Sequence, residues 1–547
     1  MPRGCGSELY TMREHSGASR NARARTLVLA CLLAAASVLL GCSGGADSSG
    51  TARANPDLRI LAGSEVRSLE PAIQSAARAA AVSVQLEYSG TLDMVDRINQ
   101  GAPFDAILPP SGAYPSLALT VKPVARQKLF YSRVALGVKQ SRAHALGWDQ
   151  AMPSWSEVTQ AVRRGQLTYG MTNPMSSNSG MSALFAVAAS LAEKTENLGA
   201  TQIDRQGLKD FLSGQKLTAG SSEWLADAYV REQDRLDGLV NYEAVLLRLN
   251  AGQQLKEPLA IIYPREGVIS ADYPLMLLAA TKQAAYDRLV GALKAPAFQS
   301  GPVARAYLRP LDPTIRHAPA LSDQLVVELS FPNDLKVIDA VLASYQAELR
   351  RPATSIYLLD VSGSMRGERL AGVKAALGLL TGLDPQGTQA RLVRFQSRER
   401  VVLIPFSSAP DTPAHFSLED DSQKAQTEQA LRAYLDQLTA GGATAIYSSL
   451  TVAYDIARQE LAREPGRLVT IVLLTDGENN RGLSAAEFEH QWAELADTGE
   501  AVRTFPILFG EASSAELGRI ALLTGGRAFD GRHGDLKDVF KEIRGYQ

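Results

Sequence analysis

The stretch that decides the fold of the C-terminal third is LLDVSGSM, Leu358–Met365. It continues the apolar run SIYLLD, Ser355–Asp360, which predicts a buried strand. After Met365 the apolar residues recur with helical spacing, at Leu370, Val373, Leu377 and Leu380. LLDVSGSM therefore predicts a strand-to-helix turn at the carboxyl edge of a sheet, where open α/β sheets bind their ligands.

Three oxygen-bearing side chains alternate along this turn: Asp360, Ser362 and Ser364. Gly363 eases the bend, so all three can turn inward and offer the hard oxygen ligands that suit Mg²⁺. A metal-binding loop, a phosphate loop and an ordinary turn whose serines cap a helix are all open interpretations. A phosphate loop is disfavoured because it needs Gly-Lys-Ser or Gly-Lys-Thr, and the turn has no lysine.

Two distant stretches add oxygen atoms at neighbouring strand ends. In LTAGGATAIYSSLTVAYDIA, Leu438–Ala457, Thr444 follows two glycines and precedes a helix. RLVTIVLLTDGENN, Arg467–Asn480, predicts a long buried strand that ends at Asp476. Because three loops at strand ends each offer an oxygen ligand, the metal-binding interpretation is favoured.

This set resembles the metal-ion-dependent adhesion site of von Willebrand factor A domains, with all five positions filled: Asp360, Ser362, Ser364, Thr444 and Asp476. The resemblance covers about Thr354 to Tyr546 and implies a doubly wound, Rossmann-like α/β domain, here called the A domain. It implies that the three hydroxyls bind Mg²⁺, or another hard divalent cation such as Mn²⁺ or Ca²⁺, directly. The two aspartates would act mostly through water, and one metal position would stay open for the carboxylate of a protein partner. The threonine loop departs from many relatives, in which threonine directly follows the glycines.

The N-terminal segment is expected to carry a targeting signal. Its apolar run, Thr26–Leu40, is shorter than the roughly 20 residues that span a bilayer and suits a secretory signal. The run ends at LLGC, Leu39–Cys42, which resembles the bacterial lipobox and implies cleavage before Cys42 and lipidation of its thiol. We therefore expect a location at the cell membrane, lipid-anchored on the extracytoplasmic face. An ordinary cleaved signal or a single anchor helix is the alternative.

From Leu58 onward, strands and helices alternate. LRIL, VSVQLEY and FDAILPP predict strands, separated by the helices SLEPAIQSAARAAA and TLDMVDRINQG. This βαβαβ order predicts a parallel sheet with helices on its faces. A second lobe of the same kind is expected to start near QLTYGMTNP, Gln166–Pro174.

Small polar loops follow these strands and open helices: Gly63–Glu65, Ser89–Thr91 and Ser176–Gly180. Such loops can hold anions at helix N-termini, although serine and threonine more often serve there as helix caps. From Leu58 to about Leu311 the chain resembles the extracellular solute-binding proteins of ABC importers, which implies a two-lobed, periplasmic-binding-protein-like region. The resemblance implies that a small anionic or polar solute would face Ser64, Ser89, Thr91, Ser176, Ser177 and Tyr263.

The predicted organisation has five parts: a lipoprotein signal peptide at 1–41, a flexible tether at 42–56, the two-lobed region at 57–325, a connecting helix at 326–352 and the A domain at 353–547. The net charge of −2 over 547 residues gives no support for a nucleic-acid partner, which would normally bind a basic face or stripe. The 6 histidines lie in no nucleophile–base motif, so we expect no enzyme and no catalytic residues. The favoured function is that of a lipid-anchored receptor whose metal site binds an acidic partner. The alternative is the substrate-binding component of an ABC importer with an accessory A domain.

Overall fold

The computed structural model describes residues 56–196, 198–382, 394–495, 502–510, 512–532 and 536–546. The lipobox, Cys42 and the tether up to Asn55 lie outside the described residues.

The strands are β1 Leu58–Ala62, β2 Val84–Tyr88, β3 Ala106–Leu108, β4 Ala125–Lys128, β5 Phe130–Lys139, β6 Tyr169–Thr172, β7 Gln215–Ala219, β8 Gly238–Tyr242, β9 Leu259–Ile262, β10 Ser270–Ala271, β11 Pro274–Leu277, β12 Arg309–Pro310, β13 Ala353–Asp360, β14 Glu399–Phe406, β15 Ala414–Ser417, β16 Leu468–Thr475, β17 Arg503–Leu508 and β18 Phe529–Asp530.

The helices are α1 Glu70–Ala79, α2 Thr91–Asn99, α3 Ala113–Ala118, α4 Gln140–Ala145, α5 Trp155–Arg163, α6 Asn178–Leu191, α7 Arg205–Leu212, α8 Ser222–Glu232, α9 Glu243–Ala251, α10 Gln283–Lys294, α11 Pro296–Phe298, α12 Leu335–Ser344, α13 Glu368–Leu380, α14 Lys424–Gln437, α15 Ile446–Arg463, α16 Ala485–Leu495, α17 Ser514–Leu523 and α18 Leu536–Arg544. Of the helices in the described ranges, none combines the length and hydropathy that crossing a bilayer requires.

The first lobe is built on a sheet of order β2-β1-β3-β11-β4. Strands β1, β2 and β3 are parallel, so the βαβαβ prediction is confirmed. Pro71 lies in the first turn of α1, where its missing N–H costs nothing. Leu92, Val95 and Ile98 of α2 are buried as their spacing predicts.

The second lobe begins earlier than predicted. Its sheet, of order β10-β5-β8-β6-β7, is organised around the ten-residue strand β5, which pairs antiparallel with β8, β9 and β10. The expectation that this lobe starts near Gln166 is therefore wrong, whereas the parallel unit expected there is present, because β6 pairs parallel with β7 and β8. In FYSRVALGVK, Phe130–Lys139, polar residues interrupt the apolar ones, and the strand is recognisable only from its partners on both sides.

A connecting helix joins the lobes to the A domain. Helix α12 passes into a π-helical turn at Tyr345–Leu349, and β13 starts at Ala353. Phe331, just before this helix, packs its ring against Phe185 of α6 with centroids 5.0 Å apart. The helix is thus fixed to the second lobe by aromatic packing.

The A domain has a six-stranded sheet of order β15-β14-β13-β16-β17-β18, parallel except for β15. All eight residues of β13 and of β16 are buried, because a parallel sheet is covered by helices on both faces. VVLIPF, Val401–Phe406, belongs to β14, which pairs parallel with β13, and β15 forms the antiparallel edge.

Candidate functional site

Three loops of the A domain meet at the carboxyl edge of its sheet. The loop after β13 bonds to the threonine loop through Gly363 N to Gly442 O at 3.0 Å and Gly441 N to Val361 O at 2.7 Å. Gly442 has a φ of 90°, which a side chain would strain. The loops that carry the predicted metal ligands are therefore held together by the backbone.

The third loop, after β16, is bound to the threonine loop through the backbone and the side chain of Asn480. Thr444 N donates to Asn480 Oδ1 at 2.8 Å, and Asn480 N donates back to the Thr444 carbonyl oxygen at 2.9 Å. Asn480 was not among the predicted residues, although its place in TDGENN could have indicated it.

The five predicted metal residues lie together. Ser362 Oγ is 3.1 Å from Ser364 Oγ, and Ser364 Oγ donates to Asp476 Oδ1 at 2.7 Å. A Cβ placed on Gly477 would lie 3.6 Å from Thr444 Oγ1 and 3.9 Å from Ser364 Oγ, so both hydroxyls face one point. Neighbouring ligands of an octahedral Mg²⁺, each at about 2.1 Å, are about 3 Å apart. The oxygen spacing fits such an ion.

Asp360 is fully buried, and both of its carboxylate oxygens are already hydrogen-bonded. Ser362 N donates to Oδ1 and the Thr475 hydroxyl donates to Oδ2. Burial, with a smaller contribution from the Asp476 charge, raises the pKa of Asp360 above its usual value. Oxygens that already accept hydrogen bonds suit a ligand that acts through water.

A positively charged side chain of the protein already lies beside these residues. The Arg369 guanidinium, at the start of α13, contacts the Asp476 carboxylate, whose side chain is fully buried. Sequence reasoning missed Arg369, because the predicted motif specifies ligands and not their neighbours. No group of three or more His, Cys, Asp or Glu side chains with metal-binding geometry occurs in the described ranges, so hydroxyls must complete any site here.

A second candidate site is the cavity of about 580 Å³ between the two lobes. Five of the six predicted solute-facing residues line it: Ser64, Ser89, Thr91, Ser176 and Ser177. Tyr263 is not among the lining residues of the described chain; its hydroxyl donates to buried Glu243, 2.6 Å away, which also pairs with Arg309. The lobes close directly on each other, because a Cβ on Gly90 would lie 2.0 Å from the Ser176 carbonyl oxygen.

Two buried polar atoms in the cavity wall have no hydrogen-bond partner among the described residues: Thr91 Oγ1 and Asn178 Oδ1. Both residues are at most 2% exposed, and each is the first residue of its helix, α2 and α6. In the described structure neither helix has a side-chain cap bond, so Ser89 and Ser177 are not serving as caps there. Unpaired buried groups are costly, and a bound polar solute would satisfy them.

Glu65 is a buried carboxyl group in the same wall, and sequence reasoning missed it as a functional residue. Ser222 Oγ, from the second lobe, donates to Glu65 Oε1 at 3.4 Å. Burial, with a smaller contribution from Glu223, raises the pKa of Glu65 to about 7. Asn173, Asn178 and Trp224 also line the cavity and were not named as solute-facing residues, although Asn178 lies in the predicted loop Ser176–Gly180.

The comparisons with known proteins match the two-lobed region and the A domain to two separate families. Residues 58–300 match the model of the bacterial extracellular solute-binding protein family, and residues 356–542 match that of the von Willebrand factor type A domain. An uncharacterized protein of Synechocystis is 32% identical over 135 residues, which are 24% of this chain and 27% of that protein. The chain thus covers about a quarter of the length of this curated relative.

Two solved structures are similar at low identity. A ferric binding protein from Campylobacter jejuni is 13% identical, with a TM-score of 0.42, over 52% of this chain and 96% of that one. A von Willebrand factor type A protein from Catenulispora acidiphila is 17% identical, with a TM-score of 0.29, over 36% of this chain and 42% of that one.

Glu65 predicts a pH-dependent stability. Its pKa is raised from 4.5 to about 7 in the folded chain, so the unfolded chain loses this proton first and folding stability falls as pH rises between these values. Glu65→Gln removes the effect. We expect the free energy of unfolding of the variant, relative to that of the wild type, to rise by up to about 3 kcal/mol between pH 5 and pH 8. The melting temperatures of both proteins at the two pH values report this change. The exposed Glu193→Gln serves as control, and a constant difference at both pH values would contradict the assignment.

Proposed function

We propose that this chain, which joins a bacterial extracellular solute-binding domain to a von Willebrand factor type A domain, is a membrane-anchored binding protein. Its A domain binds a divalent cation and uses it to engage an acidic protein partner. Its two lobes hold a small polar or anionic solute. The observation that carries the proposal is that three hydrogen-bonded loops bring together the oxygens of Ser362, Ser364, Thr444 and Asp476, with the Asp360 carboxylate bonded to Ser362 N.

The donor set favours a hard cation. Ser362, Ser364 and Thr444 would hold it through hydroxyl oxygens, and Asp360 and Asp476 would supply the negative charge. A bound divalent cation supplies a positive charge and a coordination position for a carboxylate of the partner. Hydroxyl ligands activate water poorly compared with imidazole, so the site suits adhesion better than hydrolysis. That the chain is not an enzyme stays a prediction.

The solute part of the proposal is supported by the cavity walls. The N-termini of α2 and α6 line the cavity and favour negative charge, while Asn178 Oδ1 needs a hydrogen-bond donor. A polar molecule that carries an anionic group and at least one donor fits both requirements. The same cavity supports the alternative function, in which the chain delivers a solute to an ABC importer and the A domain is an accessory.

A location outside the cytoplasm is favoured by the match to extracellular solute-binding proteins. The lipobox adds the proposed anchor, with acyl chains on Cys42 holding the chain at the membrane. The segment at 42–56 would then act as a tether that lets the folded region reach a partner.

Mg²⁺ binding tests the cation site. Isothermal titration calorimetry should show one Mg²⁺ bound by the wild type and none by Asp360→Ala or Ser364→Ala. Arg369→Ala should bind Mg²⁺ about tenfold more tightly, since it removes a competing positive charge worth roughly 1.4 kcal/mol.

The controls are Asp411→Ala, an exposed aspartate near the same sheet edge, and Arg366→Ala, whose guanidinium bonds to the Ala440 carbonyl oxygen instead of Asp476. Both should bind Mg²⁺ like the wild type. Equal binding by the wild type and Asp360→Ala, or no binding by either, would refute the cation site.

Thr91 tests the solute site. Because its buried hydroxyl has no partner in the described structure, Thr91→Val should leave the melting temperature of the free protein unchanged or slightly higher. Inorganic phosphate and small carboxylates serve as probes, and those that raise the wild-type melting temperature should lose at least fivefold in affinity in the variant. Thr201→Val, an exposed position in the second lobe, is the control. If no probe binds the wild type, the solute part fails.

Cys42 tests the membrane anchor. Cells that express the full chain with Cys42→Ser should no longer attach labelled palmitate to it, and the protein should move from the membrane to the soluble fraction. Cys31→Ser, an exchange in the same segment, should leave both readouts unchanged. A variant at Cys42 that stays lipidated and membrane-bound would show that the lipobox interpretation is wrong.

A further inference from the structure

The solute cavity has a third wall besides the two lobes. Residues of the connecting segment and the A domain line it: Arg350, Gln396, Arg527, Lys541, Arg544 and Gly545. Most of the A-domain residues belong to α18 or directly follow it. The A domain is therefore part of the enclosure of this cavity, at the end of its sheet away from the cation site.

Helix α18 contacts both lobes. Lys541 Nζ lies 3.0 Å from Asp93 Oδ1 of the first lobe, and both side chains are mostly buried. On the second lobe, Asn173 Nδ2 donates to the Arg544 carbonyl oxygen at 3.5 Å. One short helix thus connects the two halves that must separate for the cleft to open.

The backbone at the end of α18 lies against the backbone of the second lobe. A Cβ on Gly545 would lie 2.7 Å from Gly220 Cα and 3.1 Å from Ser176 Oγ. Any larger residue at position 545 would therefore push the A domain away from the second lobe.

Two further contacts fix the A domain to α8 of the second lobe. The Tyr546 and Trp224 rings pack with centroids 4.4 Å apart. Arg503 Nη2 lies 2.5 and 2.6 Å from the two oxygens of Glu232, and the arginine side chain is 2% exposed. A bidentate, buried pair of this kind holds a specific orientation.

We propose that the A domain is a wall of the solute site and that its docking controls access to the cavity. The identity of the molecule that enters the cavity rests on the proposed solute-binding function. The control of access by the A domain does not rest on it. Because α18 contacts both lobes, docking of the A domain and closure of the lobes favour the same arrangement. A solute held in the closed cavity and a docked A domain therefore stabilise each other, and an undocked A domain leaves the lobes free to open.

Alkylation of a cysteine in the cavity measures this access without a known solute. Ser177, 4% exposed in the cavity wall, is replaced by cysteine in the full chain, with Ser64→Cys as a second reporter. Iodoacetamide is the probe, and peptide mass spectrometry follows the reporter alone, since the native cysteines are at 5, 31 and 42.

Two independent changes undock the A domain. Lys541→Glu places a second carboxylate beside that of Asp93, and Gly545→Val adds a steric block. Each should raise the alkylation rate of the reporter at least fivefold. The exchanged pair Asp93→Lys with Lys541→Asp should restore the slow rate. Lys374→Glu, at a lysine of the A domain that does not line the cavity, should change nothing.

The inference would be overturned by equal alkylation rates in both undocked variants and in the reporter variant that carries no further change. A fast alkylation rate in the exchanged pair would overturn it as well. The solute-binding proposal fails by a different result, the absence of probe binding to the wild type. The two failures are therefore distinguishable.

Discussion

The arrangement of the A domain depends on one buried carboxylate, that of Glu399 at the start of β14. It is fully buried, yet the Arg544 guanidinium and nearby hydrogen-bond donors outweigh the effect of burial and lower its pKa, so it is charged. Arg544 Nη2 donates to it at 2.9 Å and Ser355 Oγ at 2.8 Å. Removing one partner of such a buried pair costs about 3–5 kcal/mol. The pair fixes the end of α18 to the sheet, and the same helix contacts both lobes.

The two candidate sites lie at opposite ends of the A-domain sheet. Arg503, which contacts the second lobe, starts β17 and pairs in register with Thr470. Asp476 follows β16, six residues beyond Thr470, so the strand rise separates the two ends by about 20 Å. The amino ends of the strands face the solute region and the carboxyl ends carry the proposed cation site. A partner at the cation would therefore not compete for space with a solute.

The sequence grouped the proposed cation residues because they belong to loops whose neighbours are strands of strong apolar pattern. That these residues bind a cation stays a prediction. The sequence placed Asp360, Ser364 and Asp476 in loops at strand ends. In the structure Ser364 Oγ donates to Asp476 Oδ1, and Asp360 Oδ1 accepts from Ser362 N. The sequence did not predict Arg369, whose contact with Asp476 depends on how α13 leaves its loop. It also placed Tyr263 with the solute residues, although the strand β9 directs the tyrosine to buried Glu243. Side-chain direction at strand ends follows from pairing, which local sequence does not contain.

By itself the sequence determined the α/β class, the two-lobed region, the A domain and the loops that bring oxygen atoms to strand ends. The α/β class and the loops depend on local periodicity and on residue types at fixed spacing, whereas the two-lobed region and the A domain follow from the resemblance to known families. Only the tertiary structure decided that β5 runs antiparallel through the second lobe and that α18 lines the cavity between the lobes. The contacts that decide them join residues hundreds of positions apart, such as Asp93 with Lys541, and only the folded chain brings such residues together.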